Sequence, residues 1–133
     1  MTQTSSSTQM YSEIILDYYR HPRNFGTISK PDASSHEVNP LCGDEVTVQL
    51  KIKGGKVEKI KFNGKGCAIS QASTSMLCEH IEGKKLEEVV KMSKEEALEL
   101  LGINLSPMRL KCALLGFKAA KLAAFKYLGV NEK

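Results

Sequence analysis

The sequence has no hydrophobic run long enough to cross a bilayer and no apolar stretch near its start. A membrane-spanning helix needs about 20 apolar residues in a row, whereas residues 1–9 here are mostly serine and threonine. Neither a secretion signal nor a membrane partner is therefore expected, and the predicted location is cytoplasmic. In that reducing compartment, cysteines serve more often as metal ligands or reactive thiols than as disulfide partners.

Closely spaced cysteine pairs and basic stretches interleaved with aromatic residues are also missing. Without the pairs that mark zinc ribbons, spacing alone leaves the four cysteines as either metal ligands or small core residues. The formal net charge is +4, but the lysines between residues 51 and 61 alternate with apolar residues, as on a solvated strand face. No nucleic-acid partner is predicted, and the basic surface is equally suited to an acidic protein partner.

The length of 133 residues, 41% of them hydrophobic, is enough for one core and too short for two domains. We expect a flexible tail at 1–8, a single domain at 9–130 and a flexible end at 131–133. A helix, a small antiparallel sheet and a run of helices follow one another without internal repeat. This order predicts an α+β fold.

The first segment is predicted to be a helix followed by a loop. Apolar residues recur at helical spacing from Tyr11 to Tyr18, with Ser7 or Thr8 available as a cap and Pro22 as a stop. The proline-rich stretch that follows predicts a loop. A short strand near His36 to Val38 fits within it.

The middle of the chain is predicted to form a hairpin. Polar and apolar residues alternate strictly from Glu45 to Lys53, which is typical of a half-buried strand. Gly54 and Gly55 can adopt the positive φ angles of a tight turn. The apolar face continues to Phe62 on the return strand, and Val57 is out of phase with it, which predicts a bulge.

The second half of the chain is predicted to be helical. The apolar period changes to 3.6 residues after Cys67 and continues to Gly83, so a helix begins at the cysteine. Two shorter helices are expected at Leu86 to Met92 and Lys94 to Leu101. The last helix runs from about Lys111 to Leu128.

Three of the cysteines fall at element boundaries, which can converge in space. Cys42 precedes the long strand, Cys67 follows the return strand, and Cys112 starts the last predicted helix. The first turn of a helix favours negative charge, and Lys111 adds a positive charge beside Cys112. Both helix-start cysteines are therefore expected to have thiolate character, and the thiolate binds metals and attacks sulfur.

Cys78 and the three histidines are not expected to be ligands. In an unbroken helix Cys78 lies roughly 16 Å along the axis from Cys67, too far to share a metal whose bonds to sulfur are about 2.3 Å. Its phase, opposite Ile69, predicts partial exposure or helix packing. His80, on the apolar stripe, is expected to be partly buried and hydrogen-bonded.

Four motifs span nearly the whole chain after the tail. They are His21-Pro22-Arg23-Asn24-Phe25-Gly26, Asn39-Pro40-Leu41-Cys42-Gly43-Asp44, Gly64-Lys65-Gly66-Cys67-Ala68-Ile69-Ser70-Gln71-Ala72-Ser73 and Arg109-Leu110-Lys111-Cys112. Together they resemble the family of IscU and NifU N-terminal-domain iron–sulfur scaffolds. They occur in the family's order, which makes the set far more specific than any one motif.

The resemblance implies a three-stranded antiparallel sheet packed against helices, with Cys42, Asp44, Cys67 and Cys112 gathered as ligands at one exposed end. It also implies a carrier rather than an enzyme. Persulfide sulfur from a cysteine desulfurase and iron are built into a transient 2Fe-2S cluster, which passes to apo-proteins. We expect Cys112 to accept the persulfide, assisted by Lys111.

Two departures from the family pattern leave alternatives open. Most IscU members have a histidine before the last cysteine, whereas Lys111 here matches the SufU branch, whose members hold zinc, accept sulfur and carry an extra segment that this chain lacks. The stretch from Leu105 to Arg109 replaces the Leu-Pro-Pro-Val-Lys motif of IscU proteins that use a dedicated Hsp70 chaperone. That partnership therefore has no support here.

Three function classes follow: a cluster scaffold, a zinc-dependent sulfurtransferase and a zinc-stabilised interaction domain. Asp44 is either a weakly held ligand that allows release of the cluster or only the cap of the Gly43 turn. The fourth ligand could also be Lys111 or a partner's residue. The placement of Cys42 and Cys67 in loops argues against a closed structural site.

Overall fold

A computed structural model describes residues 13–41, 43–102 and 105–129 of the chain. Within these ranges one helix precedes three strands and four further helices, so the predicted α+β class is confirmed. None of these helices is long and apolar enough to cross a membrane. The elements are α1 at 13–20, β1 at Ala33–Asn39, β2 at Asp44–Lys53, β3 at Lys56–Lys65, α2 at Ala68–Ile81, α3 at Leu86–Lys91, α4 at Lys94–Glu99 and α5 at Pro107–Leu128.

The strands form an antiparallel sheet in the order β1-β2-β3. The predicted hairpin turn is confirmed, with φ angles of 60° at Gly54 and 75° at Gly55. The predicted bulge is also confirmed, because Lys51 pairs with Lys59 whereas Ile52 pairs with Val57. The extra residue between them turns Val57 onto the buried face of the sheet.

The core lies between one face of the sheet and helices α2 and α5. The alternating apolar residues of the hairpin supply its centre, and burial of each large side chain contributes about 1.5 to 3 kcal/mol. This layer is the rigid base from which the strand ends and helix starts project. Its fully buried members in the sheet are Val48, Leu50, Val57, Ile60 and Phe62.

Helix α5 begins at Pro107, four residues before the predicted start at Lys111. The Ser106 hydroxyl accepts a hydrogen bond from the backbone N–H of Arg109 at 3.4 Å, and proline suits the first helical position because it has no N–H to satisfy. The prediction treated Pro107 as a separator and was wrong. Cys112 consequently lies in the second turn of the helix.

Helices α2 and α5 approach closely because small residues line their contact. A Cβ atom added at Gly116 of α5 would lie 2.2 Å from the Thr74 hydroxyl of α2. The Thr74 hydroxyl is satisfied within its own helix by donating to the carbonyl of Ser70 at 2.7 Å. Since Cys112 lies one turn before Gly116, this crossing sets the position of its thiol.

Helix α1 packs on α2 through one buried residue and a polar cluster. Ile15 is buried, and the Tyr18 hydroxyl donates to Glu79 at 2.7 Å, which raises the pKa of Tyr18. The Arg23 guanidinium lies over the Tyr18 ring and contacts Asp17 at 2.8 Å. The predicted caps Ser7 and Thr8, the first helical residue Tyr11 and the tail boundaries lie outside the described residues.

Helices α3 and α4 are one and two residues shorter than predicted. Ser93 caps α4 by accepting from the N–H of Glu96 at 3.1 Å, but the Glu96 carboxylate lies 3.0 Å from the ring nitrogen Nε2 of His80. His80 is therefore half-buried and hydrogen-bonded, as predicted. The contact between His80 and Glu96 links the end of α2 to the start of α4.

Candidate metal and cluster site

Asp44, Cys67 and Cys112 converge at one end of the molecule. One ligand atom from each residue, a carboxylate oxygen or a sulfur, lies within 4.8 Å of the other two. They come from the start of β2, the N-terminal cap of α2 and the second turn of α5. The fourth predicted ligand, Cys42, lies outside the described residues, immediately before Gly43.

Asp44 is tied to the loop that carries Cys67. Its side chain is buried, at 3% exposure of the residue, and its Oδ1 accepts from the Cys67 backbone N–H at 3.1 Å. Its Oδ2 lies 3.6 Å from the Cys67 sulfur. Gly66 permits this approach, since a Cβ there would lie 2.8 Å from the carboxylate.

The carboxylate therefore does more than cap its own turn. The N–H of Gly43 donates instead to the carbonyl of Asn39 at 2.9 Å, and Asp44 reaches across to the next loop. This contact aligns the start of β2 with the N-terminus of α2. It positions Asp44 and Cys67 relative to each other before any metal binds.

Cys67 is half-exposed and caps α2, so the predicted helix start at this cysteine is confirmed. Its carbonyl accepts from the N–H of Gln71 at 3.1 Å and from the Ser70 hydroxyl at 3.1 Å. Its thiol therefore stands at the positive end of the helix dipole, where negative charge is favoured.

Cys112 differs from the prediction in its local setting. It lies beyond the first turn of α5, so the argument that placed it at the helix N-terminus was wrong. The residue is 2% exposed but lines the site cavity. Lys111, its predicted helper, is exposed and lines a neighbouring groove.

Two cations that the sequence reasoning did not single out line the cavity. These are Lys65, two residues before Cys67, and Arg109, three residues before Cys112. The signal for Arg109 was available, because residues three apart on a helix share a face, but it required the correct start of α5. Both cations line the same cavity as the Asp44 carboxylate and the thiols of Cys67 and Cys112.

The donor set fits zinc or iron. The cavity has a volume of about 480 Å³ and is open at the surface. Ligand atoms around a tetrahedral zinc lie about 3.5 to 3.8 Å apart, close to the 3.6 Å between Asp44 Oδ2 and the Cys67 sulfur. Thiolates bind zinc and iron strongly, and a carboxylate is the harder, weaker partner.

Cys78 lies in the opposite environment. It is fully buried in the main core, where burial, with a smaller effect of Glu82, raises the pKa of its thiol. The alternative of partial exposure was wrong, and that of helix packing is confirmed. The two other histidines are surface residues, and His36 contacts the Thr47 hydroxyl at 2.7 Å.

A family model described as the NifU-like N terminal domain matches residues 10–133. The chain belongs to this family. The resemblance inferred from the four motifs is thereby confirmed. The family match extends over all the elements described above.

Curated relatives in the family carry two kinds of name. The iron-sulfur cluster assembly scaffold protein IscU 1 of Archaeoglobus fulgidus is 36% identical over 124 residues, covering 93% of this chain and 80% of the relative. The zinc-dependent sulfurtransferase SufU of Bacillus subtilis is 33% identical over 148 aligned positions, covering 98% of this chain and all of the relative. The chain is thus similar to proteins of both names.

A solved structure supports the same family. A putative iron-sulfur cluster assembly scaffold protein for the SUF system from Fervidobacterium islandicum has a TM-score of 0.75 and 34% identity. The match covers 89% of this chain and 98% of that one. The predicted architecture of a three-stranded sheet with helices is therefore a property shared with a close structural relative.

Proposed function

We propose that this protein is a scaffold on which iron–sulfur clusters are assembled and from which they are transferred. The observation that carries the proposal is the convergence of Asp44, Cys67 and Cys112 in a cavity open at the surface. Relatives named as scaffolds support it. In this role the cluster is cargo, and the protein acts as a carrier that also binds a cysteine desulfurase and recipient apo-proteins.

We assign Cys42, Asp44, Cys67 and Cys112 as the ligands. Cys42 is included because its neighbour Gly43 lines the same cavity. Each of the two irons of a 2Fe-2S cluster has two coordination positions for protein ligands, and the four residues of this set would fill all four positions. Lys65 and Arg109 offset the negative charge of the thiolates and carboxylate, while the N–H of Cys67 holds Asp44 in place.

Sulfur delivery requires one thiolate to attack the outer sulfur of a partner's persulfide. The new S–S bond forms on the scaffold cysteine, and the old one breaks to release the partner's thiolate, so no net oxidation occurs. Cys112 remains our predicted acceptor. Because it is nearly buried while Cys67 is half-exposed, Cys67 is the alternative that accessibility favours.

A zinc-dependent sulfurtransferase is the second candidate. Lys111 stands before the last ligand cysteine, as in the SufU branch, and a relative of that name aligns along its whole length. The same donor atoms would then hold zinc as a resident ion. In that case zinc would orient and activate the thiolate that receives sulfur, and no cluster would be released.

Anaerobic purification followed by reconstitution with iron, sulfide and desulfurase separates the two functions. A scaffold should show the visible absorbance of a 2Fe-2S cluster and pass it to an apo-ferredoxin. Stoichiometric zinc, stimulation of the desulfurase and no cluster transfer would instead establish the sulfurtransferase. Mass spectrometry of the persulfide intermediate identifies whether Cys112 or Cys67 carries the added sulfur.

A further inference from the structure

A second concave surface lies beside the proposed site, between the end of β1 and one face of α5. This groove has a volume of about 530 Å³. On one wall Val38 is 55% exposed and Leu41 is 68% exposed, unusual values for large apolar side chains that face a concave surface. The opposite wall contains Leu114 and Phe117 of α5.

The groove has a basic rim. Lys94, Lys111, Lys118 and Lys121 line it, and none of its lining residues among those described is acidic. The carboxylate of Glu37 approaches Lys118 at 3.6 Å. Lys94 and Lys111 are exposed, so the rim presents positive charge around an apolar floor.

Asn39 adds a polar feature beneath this surface. The residue is buried and lines the groove, and its Oδ1 accepts from the Leu41 N–H at 3.2 Å. Its Nδ2 is buried without a hydrogen-bond partner in the described structure. An unsatisfied buried donor is costly, but this one lies below the surface of the groove, so an occupant would reach it only if the chain at Leu41 moved aside.

The terminal segments outside the described residues are poorly suited as occupants. Residues 1–12 contain no acidic side chain, residues 130–133 contain only Glu132, and the net charge of the protein is +4. Symmetric pairing of two copies through this groove would bring the same lysines together. Charge complementarity therefore favours a different molecule, with negative charge at its edges and apolar groups at its centre.

We propose that this groove docks an acidic segment of a partner protein that inserts one or two large apolar side chains between Val38, Leu41 and Phe117. The carboxylates of such a segment would pair with the lysines at the rim of the groove, and its apolar side chains would cover Val38 and Leu41. The groove contains Leu41 and Lys111, which immediately precede Cys42 and Cys112 in the sequence. A partner docked in the groove would therefore bring the rest of its surface to the opening of the proposed metal site. The docking does not require a metal, so it is testable whether or not the protein assembles clusters.

A short synthetic peptide of alternating glutamate and leucine is the probe, with metal-free full-length protein and fluorescence anisotropy as the readout. We expect a Kd of about 10 to 100 μM and weakening as salt is raised. The double variant Lys94→Glu/Lys118→Glu should weaken binding about tenfold or more. The matched control Lys53→Glu/Lys59→Glu changes net charge equally at the hairpin end and should weaken it less than about twofold.

The apolar contribution is tested with Leu41→Ser and with the control Leu16→Ser, which alters an exposed leucine on α1. Only the first should weaken the peptide, by about threefold to tenfold. Circular dichroism checks that all variants fold. The proposal would be overturned if no binding were seen below about 1 mM peptide, or if the groove variants and the control variants weakened binding equally. It would also be overturned if a peptide with glutamine in place of glutamate, or an RNA of the same charge, bound equally well.

Discussion

The two cysteines of the α2 segment show how position on one helix separates a proposed ligand from a core residue. Cys67 caps the helix, is half-exposed, and has a carboxylate at 3.6 Å. Cys78 lies near the other end of the helix, fully buried. Glycine and polar residues precede the first, whereas apolar neighbours surround the second.

This difference teaches that access and charge, rather than residue type, determine which thiols can do chemistry. Cys67 stands at the positive end of the α2 dipole and lines an open cavity together with Lys65 and Arg109. At Cys78 burial penalises the thiolate and raises the pKa of the thiol.

The largest expected effect is the loss of bound cluster in the variants Cys42→Ser, Cys67→Ser and Cys112→Ser. Each removes a proposed thiolate ligand, and a hydroxyl is a much poorer ligand for iron. Loss of one thiolate ligand should weaken cluster binding at least about tenfold, which corresponds to about 1.4 kcal/mol or more. The cluster absorbance that remains after anaerobic reconstitution and gel filtration should therefore be lower in each variant than in the unmodified protein.

The matched control is Cys78→Ala, which should reconstitute fully. It removes the thiol of the fourth cysteine at a cost of about 1 to 3 kcal/mol in stability. The assay is therefore run under conditions in which circular dichroism shows the variant to be folded. A folded Cys78→Ala protein without a cluster would contradict the assignment.

The next largest effect concerns thiol reactivity in the native, metal-free protein. Cys67 should react with iodoacetamide at least about a hundredfold faster than Cys78, because a buried thiol reacts only through local opening. Since the pKa of Cys78 is raised, an increase from pH 7 to about pH 9 should leave it slow. Peptide mass spectrometry gives both rates, and the difference should vanish in denaturant. Equal native rates would refute the contrast.

A stability effect of intermediate size is expected from Gly116→Ala. The new methyl group would meet the Thr74 side chain and should destabilise the protein by about 1 to 3 kcal/mol through overpacking. The double variant Gly116→Ala/Thr74→Ala should recover part of this loss, because alanine at 74 removes the hydroxyl oxygen and Cγ2 at 2.2 and 2.7 Å and leaves only the Cβ at 2.8 Å. Denaturant unfolding measures the free energies of all the variants, and additive effects in the double variant would show that the loss does not come from contact with Thr74.

Much of the fold was predictable because its periodic elements are strongly patterned. The hairpin, its bulge and the start of α2 follow from alternation, two glycines and a change of period. The start of α5 was not predicted, since Pro107 was interpreted as a breaker. Only its capped context, with Ser106 accepting from Arg109, makes it the first helical residue.

The site was predictable in its members more than in its geometry. The motifs indicated Asp44, Cys67 and Cys112, and the structure brings these three together. The cations Lys65 and Arg109 were not predicted to line the cavity, because their distance from Asp44 and the cysteines depends on how β2, the β3–α2 loop and α5 pack together. The hydrogen bond from the Cys67 N–H to Asp44 likewise joins residues 23 positions apart, a distance over which sequence patterns carry little information.

The smallest effect, and the one that separates a ligand from a structural carboxylate, is expected at Asp44. As a hard oxygen ligand it would be the most weakly bound ligand of the cluster, which would favour release. Asp44→Ala removes both this ligand and the acceptor of the Cys67 N–H, whereas Asp44→Asn removes the charge but keeps an acceptor oxygen.

If Asp44 is a ligand, both variants should lengthen the lifetime of the bound cluster and slow its transfer to an apo-ferredoxin by about threefold to tenfold, a change of about 0.7 to 1.4 kcal/mol. If only the alanine variant changes the rate, the carboxylate acts by holding Cys67. Unchanged lifetime and transfer in both variants would mean that release is controlled elsewhere in the site.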